Sequence, residues 1–280
     1  MTLQAASGTT TQTALELVAL DIDGTMILAD ETPSPGVADV LAEYRAAGAE
    51  VMLATGRSWV ATQWVVEEFS LDPEFVVCSN GAVTLRRNGD GYDRWHVETF
   101  DPTTVLGLLG DRLPDARYMV ELASGQRLFT EALDDWTLDR GQKVSFDQLS
   151  RQPVSRVVAV APGYDEDDFH QIVEEAGLNE VSYAIGWTAW LDIAPKGVDK
   201  GTALERVCAE RGTDRNRVFV AGDGRNDIGM FEWALRGGGT AVAMGQAPAE
   251  VKQAAAGTVT DTVEEGGLAR ALRAHLESNN

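Results

Sequence analysis

The stretch Val18-Ala-Leu-Asp-Ile-Asp-Gly-Thr25 decides how the rest of the chain is read. Its apolar beginning, Leu17 to Leu20, has the length and composition of a buried strand. The run stops at two aspartates spaced i, i+2, and in an extended chain such side chains point the same way. Asp21 and Asp23 are therefore expected together at the carboxyl end of a strand, where open α/β sheets bind their ligands. Two carboxylates at close range repel unless a cation or a proton is shared between them. A divalent metal meets that demand, and Mg²⁺ prefers oxygen ligands. Gly24 lets the backbone turn and approach a ligand, while Thr25 adds a hydroxyl and an amide.

The design recurs downstream. Glu50-Val-Met-Leu-Ala-Thr-Gly-Arg57 is again an apolar strand ending in polar and glycine residues, and Phe75-Val-Val-Cys-Ser-Asn-Gly81 is a third. Between them, Val37, Val40, Leu41 and Tyr44 recur at helical spacing, with Gly48 as a stop. Ser58 is placed to cap a second helix with Val60, Trp64, Val65 and Phe69 on its apolar face. Strand–helix units in succession predict an α/β fold with a doubly wound parallel sheet. The rhythm then breaks. Val83 to Val97 reads as a hairpin turning at Asn88-Gly-Asp-Gly91, and mixed helical and extended segments follow, including 105–113, 117–121, 156–160 and 169–176. At Ala194-Pro-Lys-Gly the α/β rhythm returns. Lys200–Arg211 is helical, Arg217–Asp223 is a strand ending in a carboxylate, and a helix carries Ile228, Met230, Phe231 and Ala234. A strand over Ala241–Met244, a helix opened by Pro248 and a last helix over Leu268–Leu276 complete the chain. The expected division is a loose polar tail at 1–14, a core domain from 15–83 and 191–280, and an α+β cap inserted at 84–190.

Composition narrows the function. Of 280 residues, 44 are acidic and 23 basic, a formal charge of −21 that argues against nucleic acid and anionic membrane as partners. The 44% hydrophobic and 24% charged content is that of an ordinary globular chain. Cys78 and Cys208 lack metal-like spacing, and His96, His170 and His275 are scattered, so a zinc site is not expected. Residues 1–14 lack a basic start followed by an apolar core, which predicts a cytoplasmic protein without a signal peptide.

Five further motifs join the opening one: Ala-Thr-Gly-Arg (54–57), Ser-Asn-Gly-Ala (79–82), Pro-Lys-Gly-Val-Asp-Lys-Gly (195–201), Gly-Asp-Gly-Arg-Asn-Asp (222–227) and Ala-Val-Ala-Met-Gly (241–245). In this order, with Asp-Ile-Asp-Gly-Thr (21–25), they resemble the haloacid dehalogenase superfamily. The closer likeness is to the Cof-type phosphatases, with a cap inserted between the second and third motifs. The likeness runs from about residue 16 to 270, and Gln246 departs from the asparagine common in the family.

The resemblance implies a role for each matching residue. Asp21 would be the nucleophile that forms an aspartyl-phosphate, and Asp23 the general acid and then base. Mg²⁺ would be held by the Asp21 carboxylate, the Asp23 main-chain carbonyl and Asp223, with Asp227 orienting metal-bound water. Thr55 and Lys200 would bind phosphate oxygens, with amides of Gly24 and Gly56 and support from Asn226. Lys200 is preferred over Lys196 because it starts a helix. Arg57 and Asn80 are candidate substrate contacts, each with a purely structural alternative. Trp187, Trp190, Arg127, His96 and Trp95 are cap candidates, with core packing favoured for the two tryptophans at 187 and 190. The expected activity is Mg²⁺-dependent hydrolysis of a sugar phosphate or similar small phosphorylated metabolite by a monomer or weak homodimer. A phosphomannomutase-like phosphotransferase is the alternative, and a non-catalytic binding protein on the same fold is the third reading.

Overall fold

A computed structural model describes residues 17–132, 141–162, 164, 181–186 (backbone only) and 190–278. The expected tail at 1–14, the segment at 169–176 and Trp187 lie outside the described residues. Strand β1 (Leu17–Leu20) pairs in parallel with β2 (Glu50–Leu53) on one side and β12 (Val218–Gly222) on the other, and β13 (Thr240–Ala243) extends the sheet beyond β12. The order β13-β12-β1-β2 places the Asp21 strand in the interior of the sheet. Its alternate residues serve opposite layers, as the two-residue period of a strand requires. Val18 and Leu20 pack with helices α1 (Val37–Ala46), α2 (Trp59–Glu68) and α6 (Gly267–Ser278). Leu17 and Ala19 pack with α4 (Lys200–Arg211) and α5 (Ile228–Arg236). Helices on both faces of a parallel sheet make the doubly wound architecture, and every residue of β1 is fully buried.

β3 (Phe75–Cys78) joins beside β2 through a parallel bridge, Ala54 to Val77. β4 (Val83–Asn88) and β5 (Gly91–Val97) then continue from β3 as an antiparallel ribbon. The two-residue tip follows from glycine chemistry: Asn88 pairs with Gly91, and Gly89 takes φ 61°. Val83 and Leu85 are buried in the same cluster as Val18 and Leu20.

The second sheet has the order β10-β11-β9-β6-β7-β8. Its strands are β6 (Arg117–Leu122), β7 (Arg127–Phe129), β8 (Gly141–Lys143), β9 (Val154–Val160), β10 (Val181–Gly186) and β11 (Trp190–Pro195). Helix α3 (Thr103–Arg112) covers one face, with Val105, Leu106 and Leu109 against Val120, Val157, Leu191 and Ile193. Met119, Arg156, Trp190 and Asp192 alternate with those residues and so belong to the opposite face, which turns to the core. The hairpin at 84–97 extends the core sheet through β3, and β11, which begins at the expected exit, is hydrogen-bonded to β9 within the cap sheet. Alternation alone could not place these strands, because a half-buried strand looks the same at the edge of either sheet.

No disulfide joins the buried Cys78 and Cys208. Among the described residues, no helix is long and apolar enough to cross a membrane.

Candidate active site

The carboxyl ends of β1, β2 and β12 open into a cleft of about 1230 Å³ between the two sheets. Asp21 follows β1 directly and is 4% exposed, its N–H donating to the Ala221 carbonyl of the neighbouring strand end at 3.0 Å. Lys200 is fully buried at the first position of α4. Two local features put it there. Asp199 caps the helix, accepting from the Thr202 N–H at 2.7 Å. Gly201 lies so near α5 that an added Cβ would sit 2.4 Å from the Gly229 carbonyl oxygen, so the helices cross closely. From this position the Lys200 Nζ donates to Asp21 Oδ1 and to Asp227 Oδ1, each at 2.6 Å. Lys196, by contrast, is exposed on the turn before it.

Asp223 ends β12 and completes the cluster. One carboxylate oxygen from each of Asp21, Asp223 and Asp227 lies within 4.8 Å of the other two. Gly24 makes room for this approach: it adopts φ 68°, and a Cβ there would stand 2.1 Å from Asp223 Oδ2. The side chain of Gln246 braces the junction, donating to Asp223 Oδ2 at 3.1 Å and to the Gly24 carbonyl at 2.5 Å, while its own oxygen accepts from the Val263 N–H. The departure from asparagine thus keeps an amide at this position and anchors two loops with it.

Three carboxylates face one lysine, and their protonation reflects it. Burial raises the Asp21 pKa well above the usual carboxylate range; Lys200 opposes this, and Asp227, Asp223 and Asp23 reinforce it. Burial, then Asp227, push Asp223 up to about 7 against the Gln246 hydrogen bond. Lys200 is raised: burial works against its charge, but Asp21 and Asp227 outweigh it. A hard, all-oxygen donor set with net negative charge fits Mg²⁺.

The i, i+2 expectation holds for only one of the first two aspartates. Asp21 turns inward to Lys200, whereas the side chain of Asp23 is 58% exposed and does not join the carboxylate cluster. Arg57 clamps it with Nε at 2.9 Å and Nη2 at 2.7 Å, and Nη2 also reaches Glu31 at 2.9 Å. The cause is local: the chain turns immediately after β1, so Asp21 and Asp23 no longer share one extended segment. Arg57 further lies 5.7 Å from the Trp64 ring. Trp64, expected on the apolar face of its helix, packs against the core cluster and also lines the cleft.

Thr55 is fully buried, and its hydroxyl accepts from the Arg57 N–H at 3.0 Å. Gly56, Asn80 and Asn226 line the cleft together. Asn80 has φ 52°, ψ 33°, a left-handed conformation that asparagine tolerates. Its side-chain oxygen accepts from Asn226 at 3.0 Å and its amide donates to Asp192 of the cap at 2.9 Å. Of the cap candidates, Arg127 and Trp190 line the cleft, and Trp190 also packs against the cluster of Met119, Phe129, Val158 and Val160. His96 pairs with Glu98 at 2.9 Å, and Trp95 packs edge-on against Phe75.

A buried aspartate at a strand end, a buried lysine and an acidic cluster under a capped cleft are the features of a hydrolase of the phosphatase class. The chain belongs to the haloacid dehalogenase-like hydrolases, whose family model matches residues 18–109 and 116–272. It is 30% identical to the pyridoxal phosphate phosphatase YbhA of Escherichia coli (strain K12), over 93% of this chain and 98% of that protein. It is 25% identical to the 5-amino-6-(5-phospho-D-ribitylamino)uracil phosphatase YitU of Bacillus subtilis (strain 168), over 93% and 97%. Its fold matches that of the subclass IIB sugar phosphatase BT4131 with a TM-score of 0.77 at 19% identity, covering 93% of this chain and 98% of the other.

Proposed function

We propose that the protein is a Mg²⁺-dependent phosphomonoesterase that works through an aspartyl-phosphate on Asp21. The observation that carries this reading is the buried cluster of Asp21, Asp223 and Asp227 around Lys200, at the floor of an open cleft. Lys200 occupies Asp21 Oδ1, whereas Oδ2 has only the Thr25 hydroxyl at 3.4 Å. Oδ2 is therefore the oxygen placed to attack phosphorus. The bond from phosphorus to the leaving oxygen breaks, and that oxygen takes its proton from Asp23, held at the cleft by Arg57. Water then attacks the aspartyl-phosphate, returning a proton to Asp23 and releasing phosphate. Bound by Asp21, Asp223 and Asp227, Mg²⁺ would offset the charge of the incoming phosphoryl group and keep the nucleophile ionised. Lys200 supplies the remaining positive charge without moving.

The relatives' names bear on the substrate. Pyridoxal phosphate, a ribitylamino-uracil phosphate and sugar phosphates differ in their leaving groups, yet each is a small phosphorylated metabolite. A sugar phosphate or similar small ester in the cytoplasm is the substrate class we assign, with nucleic acid and anionic membranes disfavoured by the charge of −21. The test is release of inorganic phosphate from a panel of phosphomonoesters with Mg²⁺, with chelator, and with Asp21→Asn. Turnover that ignores both chelation and the substitution would overturn the reading. Isomerisation of a hexose phosphate without phosphate release would replace it with a phosphotransferase.

A further inference from the structure

The cap face of the cleft carries a built polar arrangement that the phosphoryl chemistry leaves unused. Arg156 of β9 is 7% exposed, and its Nε donates to Asp192 Oδ1 of β11 at 2.7 Å. Among the described residues the two terminal nitrogens of this guanidinium have no protein partner, although the residue lines the cleft. These donors open into the cleft and are available to a bound acceptor. Asp192, 6% exposed, also lines the cleft, and its second oxygen accepts from Asn80. A carboxylate has about four lone-pair sites, so after these two bonds Asp192 can still accept. Donor-only and acceptor-only groups thus stand side by side in a recess beside Trp190 and Met119.

Neighbouring hydroxyls satisfy both groups at once, because each hydroxyl accepts from the arginine and donates to the aspartate. A carboxylate or second phosphate would satisfy Arg156 but face the charge of Asp192. We propose that Arg156 and Asp192 are the specificity-determining pair of the cap, reading vicinal hydroxyls on the leaving group, and that Asn80 is their positioning residue. Asn80 ties the pair to Asn226, one residue from Asp227, so a leaving group seated in the cap is registered against the phosphate end through the hydrogen-bonded series Arg156, Asp192, Asn80 and Asn226. This inference rests on the phosphomonoesterase reading.

The test compares kcat/KM for sorbitol 6-phosphate and ribose 5-phosphate with that for p-nitrophenyl phosphate, which lacks hydroxyls, and for phosphoglycolate, which carries a carboxylate. The wild type is expected to favour the polyhydroxylated esters. In Arg156→Ala that preference over p-nitrophenyl phosphate should fall about 10- to 100-fold, the loss of charge-assisted hydrogen bonds. Asp192→Asn should lower it in the same direction, chiefly through KM. Asn80→Ala should lower it with thermal stability held, whereas a merely structural role would depress all four substrates and the melting temperature together. Arg156→Lys, which keeps the charge but loses the fork, covers the case in which the alanine variant does not fold, and should also lose most of the preference. The proposal is overturned if phosphoglycolate or p-nitrophenyl phosphate is the better wild-type substrate, or if these variants leave the ratio unchanged. Absence of phosphate release from every ester would instead remove the phosphatase reading beneath it.

Discussion

The two walls of the cleft are both charged and both buried, but their balances are opposite. On the core side, Asp21, Asp223 and Asp227 share the single Lys200. On the cap side, Arg156 pairs with Asp192, and Arg127 also lines the cleft. The core wall thus has carboxylates in excess, and the cap wall has arginines. A buried carboxylate excess costs stability unless a cation is recruited, so it marks where charge is handled during chemistry. The near-balanced cap wall demands no ion and is suited to holding a polar molecule. The comparison teaches that the difference in charge balance, more than the number of charges, separates the reacting end from the recognising end.

The sharpest way to break this contrast is to remove the proposed nucleophile. Asp21→Asn should lower phosphate release on the order of ten-thousand-fold or more, while cap substitutions alter only which ester is preferred. Steady-state phosphate release on one ester compares them directly. Next comes Lys200→Ala, which leaves Asp21 and Asp227 buried without their cation. Removing one partner of such a buried pair costs roughly 3–5 kcal/mol, read by chemical denaturation in chelator, and turnover should fall on the order of a thousandfold.

The acidic imbalance also has a signed pH dependence. Asp223 has a folded-state pKa raised to about 7 from 3.8, and Asp21 is raised in the same direction. A raised carboxylate contributes stability that is complete below the unfolded pKa and is lost as pH rises through the folded one. Without metal, the melting temperature should therefore fall between about pH 4 and 7. Asp223→Asn should flatten part of that slope, which separates it from the general repulsion of an acidic chain. Mg²⁺ competes with the same protons, so its affinity should weaken by up to about tenfold per pH unit below 7, measured by calorimetry. The smallest effect on the fold is expected from Arg57→Ala. The salt bridge to the exposed Asp23 should be worth little, a shift of under about 2 °C, yet turnover should drop by about tenfold because a proton donor loses its hold. A large stability loss with unchanged turnover would reverse the role given to Arg57.

Local signals carried most of the fold and half of the site. Asp21, Asp223 and Lys200 each follow an apolar strand or open a capped helix, so their placement is written into short stretches. The contacts joining them are not. Gln246 meets Gly24 across 222 positions, and Asn80 meets Asp192 across 112. No periodicity encodes such pairings. Trp64 and Trp190 pack against hydrophobic clusters, as helical and strand periods lead one to expect, and both line the cleft as well. Those periods do not reveal that part of an apolar face also forms the wall of a cleft. Arg57 was balanced between substrate and an acid, and only the turn after β1, which swings Asp23 outward, settles its partner.

The position of Asp21 in the sheet also matters before the protein is finished. Its strand emerges early, yet the lysine that meets it lies 179 residues later. β1 likewise has to wait for β12 to cover its second edge. Until the last third of the chain arrives, an apolar strand is left with unpaired backbone groups, a template for wrong pairing. Strong pairing with β2 and early packing of α1 would be the only local protection, so a nascent or truncated chain ending before residue 218 should be inert and prone to aggregation.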